Sequence, residues 1–166
     1  MPATSYELKT RFSFGSSSVR IVKGDILAPI DGIEDAVLVS SDDNYLTMNS
    51  GLSYSLRKIL GDDYVREVQA KCPVKAGTVV CTRRSQLVAG NGGASIELDP
   101  EIKYIFHAAV VDYDNVDREI DEVVEDATAN ALERAEDLGL KSILFPAMGT
   151  SSGRVEQMRK CSIAIC

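Results

Sequence analysis

The sequence predicts an α/β domain of three layers, a mixed and mostly parallel sheet with helices on both faces. Three observations carry this prediction. Strand-like and helix-like segments alternate from Val37 onward, the order from which parallel crossover units are built. Several strand candidates are unbroken apolar runs, as expected where both faces of a sheet are covered. The length of 166 residues suits one ordinary domain, since a chain of about 150 residues buries roughly 68–70% of its unfolded surface without metal or disulfide staples.

Tyr6, Leu8, Phe12 and Phe14 predict a first strand before the Gly15-Ser16-Ser17-Ser18 turn. Val19-Arg20-Ile21-Val22 predicts a second that ends at Gly24, so the chain enters through a hairpin. Asp35-Ala36-Val37-Leu38-Val39 reads as a strand covered on both faces, followed by a turn-rich stretch from Ser40 to Gly51. The helical signal resumes at Ser53. Leu52, Leu56, Ile59 and Leu60 share one face as far as Gly61, and Tyr64, Val65, Val68 and Cys72 repeat the pattern in a second short helix closed by Pro73.

Residues 77–82 and 104–111 are β-branched and apolar and predict two further strands, with Gly90-Asn91-Gly92-Gly93 a turn between them. Val116, Ile120, Val123, Val124, Ala127, Ala131, Ala135 and Leu138 mark one face of a long helix capped by Gly139. Ser142-Ile143-Leu144-Phe145 is a last buried strand, residues 146–153 a turn, and Val155 the start of a closing helix. No internal repeat or low-complexity tract interrupts the chain.

The composition excludes several functions. A formal charge of −7, from 18 Lys+Arg against 25 Asp+Glu with no dense basic run, argues against broad nucleic-acid binding. Only a local site could favour an anion. One histidine, His107, and four cysteines without C-x-x-C spacing (Cys72, Cys81, Cys161, Cys166) predict no metal site. The thiols read as free or buried in a reducing compartment, the cytoplasm by default. No apolar run approaches the roughly 20 residues of a membrane helix, and the first 18 residues read as neither signal peptide nor anchor. No cofactor is implied.

Ligands of open α/β sheets sit outside the carboxyl ends of the strands. Three strand-end segments stand out: Gly24-Asp25-Ile26-Leu27, the stretch from Ser40 to Ser53, and Gly149-Thr150-Ser151-Ser152-Gly153. The last two place Gly and hydroxyl residues just before a helix, where free N–H groups and the helix dipole favour an anion such as phosphate. The same residues are also ordinary turn and cap chemistry.

In order and spacing these segments resemble the macro domain, the ADP-ribose-binding α/β module, over nearly the whole chain. The family's strand followed by Gly-Asp-Ile stands here as Val22-Lys23-Gly24-Asp25-Ile26, and its Ile-His-Ala strand as Phe106-His107-Ala108. Its Phe-Pro-Ala-x-Gly-Thr-Gly run is matched by Phe145-Pro146-Ala147-Met148-Gly149-Thr150-Ser151. The resemblance implies the macro domain fold. It also implies that Asp25 accepts a hydrogen bond from an adenine amino group, with the Ile26 amide beside it. A diphosphate would then lie between Asn49-Ser50-Gly51-Leu52 and a second loop made by Ala147, Gly149, Thr150, Ser151, Ser152 and Gly153, bound chiefly by backbone N–H groups. Asn44 and Tyr113 complete the implied ligand set, with Tyr113 over the adenine or distal ribose, or else a rim aromatic.

The sequence departs from the family where Asn-Ala-Ala-Asn becomes Ser40-Ser41-Asp42-Asp43 and Gly-Gly-Gly-Val becomes Asn49-Ser50-Gly51-Leu52. Asp43 takes the aligned place of an asparagine that orients the terminal ribose. Two readings of Asp42 and Asp43 stand open: Asx-type turn residues at the strand end, or a ribose-binding or catalytic pair. His107, inside a strongly apolar strand, reads as a buried structural histidine. Tyr45 is placed like Tyr113, and Arg154 stands either beside a phosphate or at a solvated helix start.

The function expected is a binding module for ADP-ribose, a related NAD-derived nucleotide, or an ADP-ribosyl group on a protein. The alternatives are an ADP-ribosyl or O-acyl-ADP-ribose hydrolase using Asp43 or Asp42, and a degenerate macro fold acting as an interaction or sensor domain. The final Ser162-Ile163-Ala164-Ile165-Cys166, apolar to the last residue, adds the expectation that residues 1–166 are one domain taken from a longer protein with further domains.

Overall fold

The computed structural model describes residues 6–83, 98–115 and 117–150. In chain order they form strands β1 (Tyr6–Phe14), β2 (Ser17–Gly24) and β3 (Ala36–Asp43), helix α1 (Gly51–Gln69), strands β4 (Val79–Arg83) and β5 (Ile102–Val111), helix α2 (Ile120–Asp137) and strand β6 (Ser142–Leu144). The expected turn at 90–93, the helix from Val155, and Val116, Ser151, Ser152, Gly153, Arg154, Cys161 and Cys166 lie outside the described residues.

The central sheet runs β4-β5-β3-β6. β3 is parallel to both β5 and β6, and β4 is antiparallel to β5, which is the mixed and mostly parallel sheet expected. β1 and β2 form a separate antiparallel pair with a register shift between Leu8 and Thr10. Gly15, at φ +59°, supplies the left-handed residue that its tight turn needs.

Alternation along β3 decides where the core goes. Successive side chains of a strand point to opposite faces. Ala36 and Leu38 therefore join one apolar cluster with Leu56, Val68 and Ile105, while Val37 and Val39 join another with Phe106, Val124, Ala127 and Ala131. α1 supplies the first cluster and α2 the second, so the three layers follow from the alternation. Leu38, Val39 and Phe106 are fully buried, each worth about 1.5–3 kcal/mol relative to exposure.

Two expectations shift. The stretch from Ser40 does not turn at once, because Ser40, Ser41, Asp42 and Asp43 find register partners on β5 at His107, Ala108, Ala109 and Val111. β3 therefore carries both aspartates as its last residues. The long helix starts at Ile120, later than its apolar pattern suggests. Asp112 Oδ1 accepts the amides of Asp114 and Asn115, both at 3.0 Å, and this Asx turn holds the chain out of helix. The two short helices expected around Gly61 are present as α1, broken at Gly61 with φ +83° and ψ 172°. α2 ends as expected: the Gly139 amide donates to Glu136 O at 2.9 Å and the Leu140 amide to Ala135 O at 3.0 Å, the Schellman pattern around a left-handed glycine.

Candidate functional site

The loop after β2, the first turn of α1 and the segment leaving β6 enclose a cavity of about 420 Å³. It brings together Asp25 and Ile26 from the first, Leu52 from the second and Ala147 from the third. Its walls are largely apolar, with Val22, Ile30 and Phe145 beside Ile26 and Leu52; Asp25 and Ser55 are polar exceptions. Asp25 Oδ1 accepts the Leu27 amide at 2.9 Å, and Asp25 O accepts the Ala28 amide at 3.1 Å. This tight turn fixes the carboxylate while its other oxygen takes no hydrogen bond among the described residues. An acceptor of that kind at an apolar wall suits an exocyclic amine donor.

The start of α1 borders the same cavity. Ser50 is extended, makes no side-chain cap, and no acidic residue occupies the first turn. Gly51, at φ +56°, swings the chain into the helix. The Tyr54 amide donates to Ser50 O at 3.2 Å, whereas the amides of Gly51, Leu52 and Ser53 find no acceptor among the described residues. They carry the positive end of the helix dipole. Asn49 Oδ1 accepts from Arg57 Nη1 at 3.0 Å, so a guanidinium also stands at this turn. Beyond β6, Gly149 has φ +73° and Thr150 Oγ1 donates to Ala147 O at 2.7 Å, closing the second turn as far as it is described.

Asp42 and Asp43 are both buried, and their oxygens are engaged by the chain that follows. Asp42 Oδ2 accepts the Met48 amide at 2.9 Å, and Asp42 Oδ1 accepts the Asp43 amide at 2.9 Å. Asp43 Oδ1 accepts the Tyr45 amide at 2.8 Å, and its Oδ2 accepts the Thr47 hydroxyl. Burial pushes the Asp42 carboxyl up to about 7, since an ionised oxygen loses water there.

Asn44 is a clamp between three segments. Its side chain donates to Asp114 Oδ2 at 2.7 Å and accepts the Tyr113 amide at 3.1 Å, while its backbone carbonyl accepts the Val74 amide at 2.9 Å. Tyr113 is exposed and Tyr45 donates its hydroxyl to Asp114 at 2.8 Å. Neither tyrosine is among the residues around the cavity.

His107 is fully buried, with Nε2 2.5 Å from Tyr64 Oη, which lies 2.7 Å from Thr82 Oγ1. The Thr82 hydroxyl donates to Ile105 O at 3.2 Å. One proton arrangement satisfies this row: Nε2–H to Tyr64, Tyr64 O–H to Thr82, Thr82 O–H to Ile105. Burial pushes His107 down to about 3, so it is neutral and is a structural histidine, as its sequence context suggested. Burial also raises the Cys72 and Cys81 thiols, which disfavours the thiolate a nucleophile needs.

Sequence reasoning missed Ser55, Ile30 and Phe145 at the cavity, Thr47 beneath Asp43 and Arg57 beside Asn49. The three-residue helical spacing of Leu52 and Ser55 was a readable signal for the first. Phe145 opens the matched Phe-Pro-Ala run beside Ala147, and the others depend on loop geometry.

Among the described residues no helix is long and apolar enough to cross a membrane, and no group of three or more His, Cys, Asp or Glu could hold a metal ion. The model of the Macro domain family matches residues 39–164, and the chain belongs to that family. An uncharacterized protein of Thermotoga maritima is 28% identical over 148 residues, 87% of this chain and 22% of that protein. One of Sulfurisphaera tokodaii is 31% identical over 136 residues, 80% of this chain and 64% of that protein. The chain therefore spans less than two thirds of either relative. The Oceanobacillus iheyensis macrodomain with MES bound has a TM-score of 0.70 at 18% identity, covering 94% of this chain and 77% of that one. The same macrodomain with ADP gives 0.68 at 20% identity, covering 94% and 78%. At these identities the likeness is one of fold.

Proposed function

We propose that this domain binds ADP-ribose, free or as an ADP-ribosyl group on a protein. The observation that carries the reading is the cavity lined both by Asp25 and by Leu52, from the first turn of α1, whose amide has no acceptor among the described residues. The apolar walls take the adenine ring, the free Asp25 oxygen accepts its amino group, and the amides of Gly51 and Leu52 at the start of α1 receive the diphosphate. Binding through backbone donors is how a chain of net charge −7 holds an anion. The macrodomain of Oceanobacillus iheyensis, with ADP in its structure, supports the choice of an adenine diphosphate.

The hydrolase alternative draws on Asp42, whose carboxyl at about 7 is in the range suited to proton transfer. Its oxygens are already taken by the Met48 and Asp43 amides, which favours binding over turnover. In the same reading the domain is a module of a longer polypeptide, the arrangement of the matching segment in the Thermotoga maritima protein, and works in the cytoplasm, where Cys72 and Cys81 remain thiols.

A thermal-shift screen over ADP-ribose, ADP, AMP, NAD and poly(ADP-ribose) tests the proposal. A true ligand at about 100 times its Kd adds roughly 2.7 kcal/mol to stability. Release of ADP-ribose from a modified protein, abolished by Asp42→Asn or Asp43→Asn, would instead establish the hydrolase.

A further inference from the structure

The five residues from Asn44 to Met48 carry the chain from the end of β3 to the loop that starts α1. They do so in an unfavourable conformation. Leu46 and Met48 have φ of +49° and +53°, the left-handed region that residues with a Cβ seldom occupy. Both side chains are fully buried against Leu56 and its neighbours. Packing alone does not account for the path, because it leaves the amides of Tyr45 and Met48 to be satisfied.

The two carboxylates at the end of β3 satisfy them. Asp42 receives the Met48 amide on both oxygens, at 2.9 and 3.2 Å. Asp43 receives the Tyr45 amide at 2.8 Å, the Thr47 amide at 3.4 Å and the Thr47 hydroxyl. Met48 is only three residues before Gly51, so fixing its amide sets where α1 begins and which way its free amides face. We propose that Asp42 and Asp43 are positioning residues: they hold the 44–48 loop so that the first turn of α1 presents its amides to a diphosphate, and they do not touch the ligand. This rests on the binding reading given above.

Two measurements on Asp42→Ala, Asp43→Ala and Asp43→Asn test it, because asparagine at 43 keeps an oxygen for the Tyr45 and Thr47 amides, can donate to the Thr47 hydroxyl oxygen, and loses the charge. The first is amide hydrogen exchange without ligand. Exchange at Met48 in Asp42→Ala and at Tyr45 in Asp43→Ala should quicken about tenfold, and Asp43→Asn should stay within about twofold of wild type. The second is the ratio of ADP to AMP affinity by calorimetry, which a general loss of stability would leave unchanged. It should fall about tenfold in the alanine variants and recover in Asp43→Asn. Thr47→Val, which removes one donor to Asp43, should lower the ratio in the same direction and serves if an alanine variant does not fold.

Unchanged exchange at Met48 and Tyr45 in the alanine variants would overturn the inference. So would an Asp43→Asn variant as impaired in binding as Asp43→Ala, since the charge would then act on the ligand. If wild type binds neither nucleotide, the binding reading fails, and the exchange rates still decide whether the carboxylates hold the loop.

Discussion

Tyr64 Oη lies 2.5 Å from His107 Nε2 in a buried contact that ties α1 to the centre of β5. The same hydroxyl lies 2.7 Å from Thr82 Oγ1 on β4, so one atom joins three elements. Tyr64→Phe keeps the ring and leaves Thr82 and His107 short of a partner. It should destabilise the fold by about 1–3 kcal/mol, the penalty for unsatisfied buried groups. Urea denaturation should show a lower midpoint with an unchanged slope; an unchanged midpoint would mean the row of hydroxyls is not a structural tie.

Asp42 and His107 give stability opposing pH dependences. Asp42, raised to about 7 from an ordinary 3.8 by burial and the neighbouring Asp43 charge, keeps a proton that the unfolded chain has lost. Its contribution is present below about pH 4 and lost as pH rises through about 7. His107, lowered to about 3 from 6.5, stays neutral while the unfolded chain takes up a proton. Its contribution is present above about pH 6.5 and lost as pH falls toward about 3. Between about pH 4 and 6.5 the two slopes, each up to about 1.4 kcal/mol per unit, oppose each other. Asp42→Asn should therefore make stability fall more steeply on acidification than in wild type, as read by denaturation at pH 4.5, 5.5 and 6.5. Parallel curves would contradict the assignment.

Gly77 is held where no side chain fits. A Cβ there would stand 2.8 Å from Asp126 Cβ on α2, at φ +89°. At Gly61, φ is +83° but nothing lies within 4 Å. Gly77→Ala should lose about 2–4 kcal/mol, from strain plus overlap, and Gly61→Ala about 1–2 kcal/mol from backbone strain alone. Equal losses by thermal or urea unfolding would remove the role assigned to the α2 contact.

The elements were legible wherever periodicity or punctuation marks them. The apolar run of Val37-Leu38-Val39, the break at Gly61 and the left-handed cap at Gly139 all stand where the sequence puts them. The extent of β3 was not legible, because Ser40-Ser41-Asp42-Asp43 has the composition of a turn and becomes strand only through pairing with β5. The same limit applied to the site. Asp25 could be singled out, since it follows a strand in a short motif. The loop contacts of Asp42 and Asp43 depend on where Tyr45, Thr47 and Met48 return in space, and local sequence carries no signal for that. Asn44, which the resemblance puts in the ligand set, bonds Asp114 and Tyr113 as a clamp, and that too depends on where those residues return in space.

Calorimetric titration of the chain with ADP-ribose, alongside Asp25→Ala, tests the central claim most directly. Asp25 is exposed and belongs to neither core cluster. The account predicts saturable binding at one site in wild type and a loss of about tenfold or more in Asp25→Ala, the scale of a hydrogen bond to a charged group. No saturable heat with wild type, or equal affinity in Asp25→Ala, would contradict it.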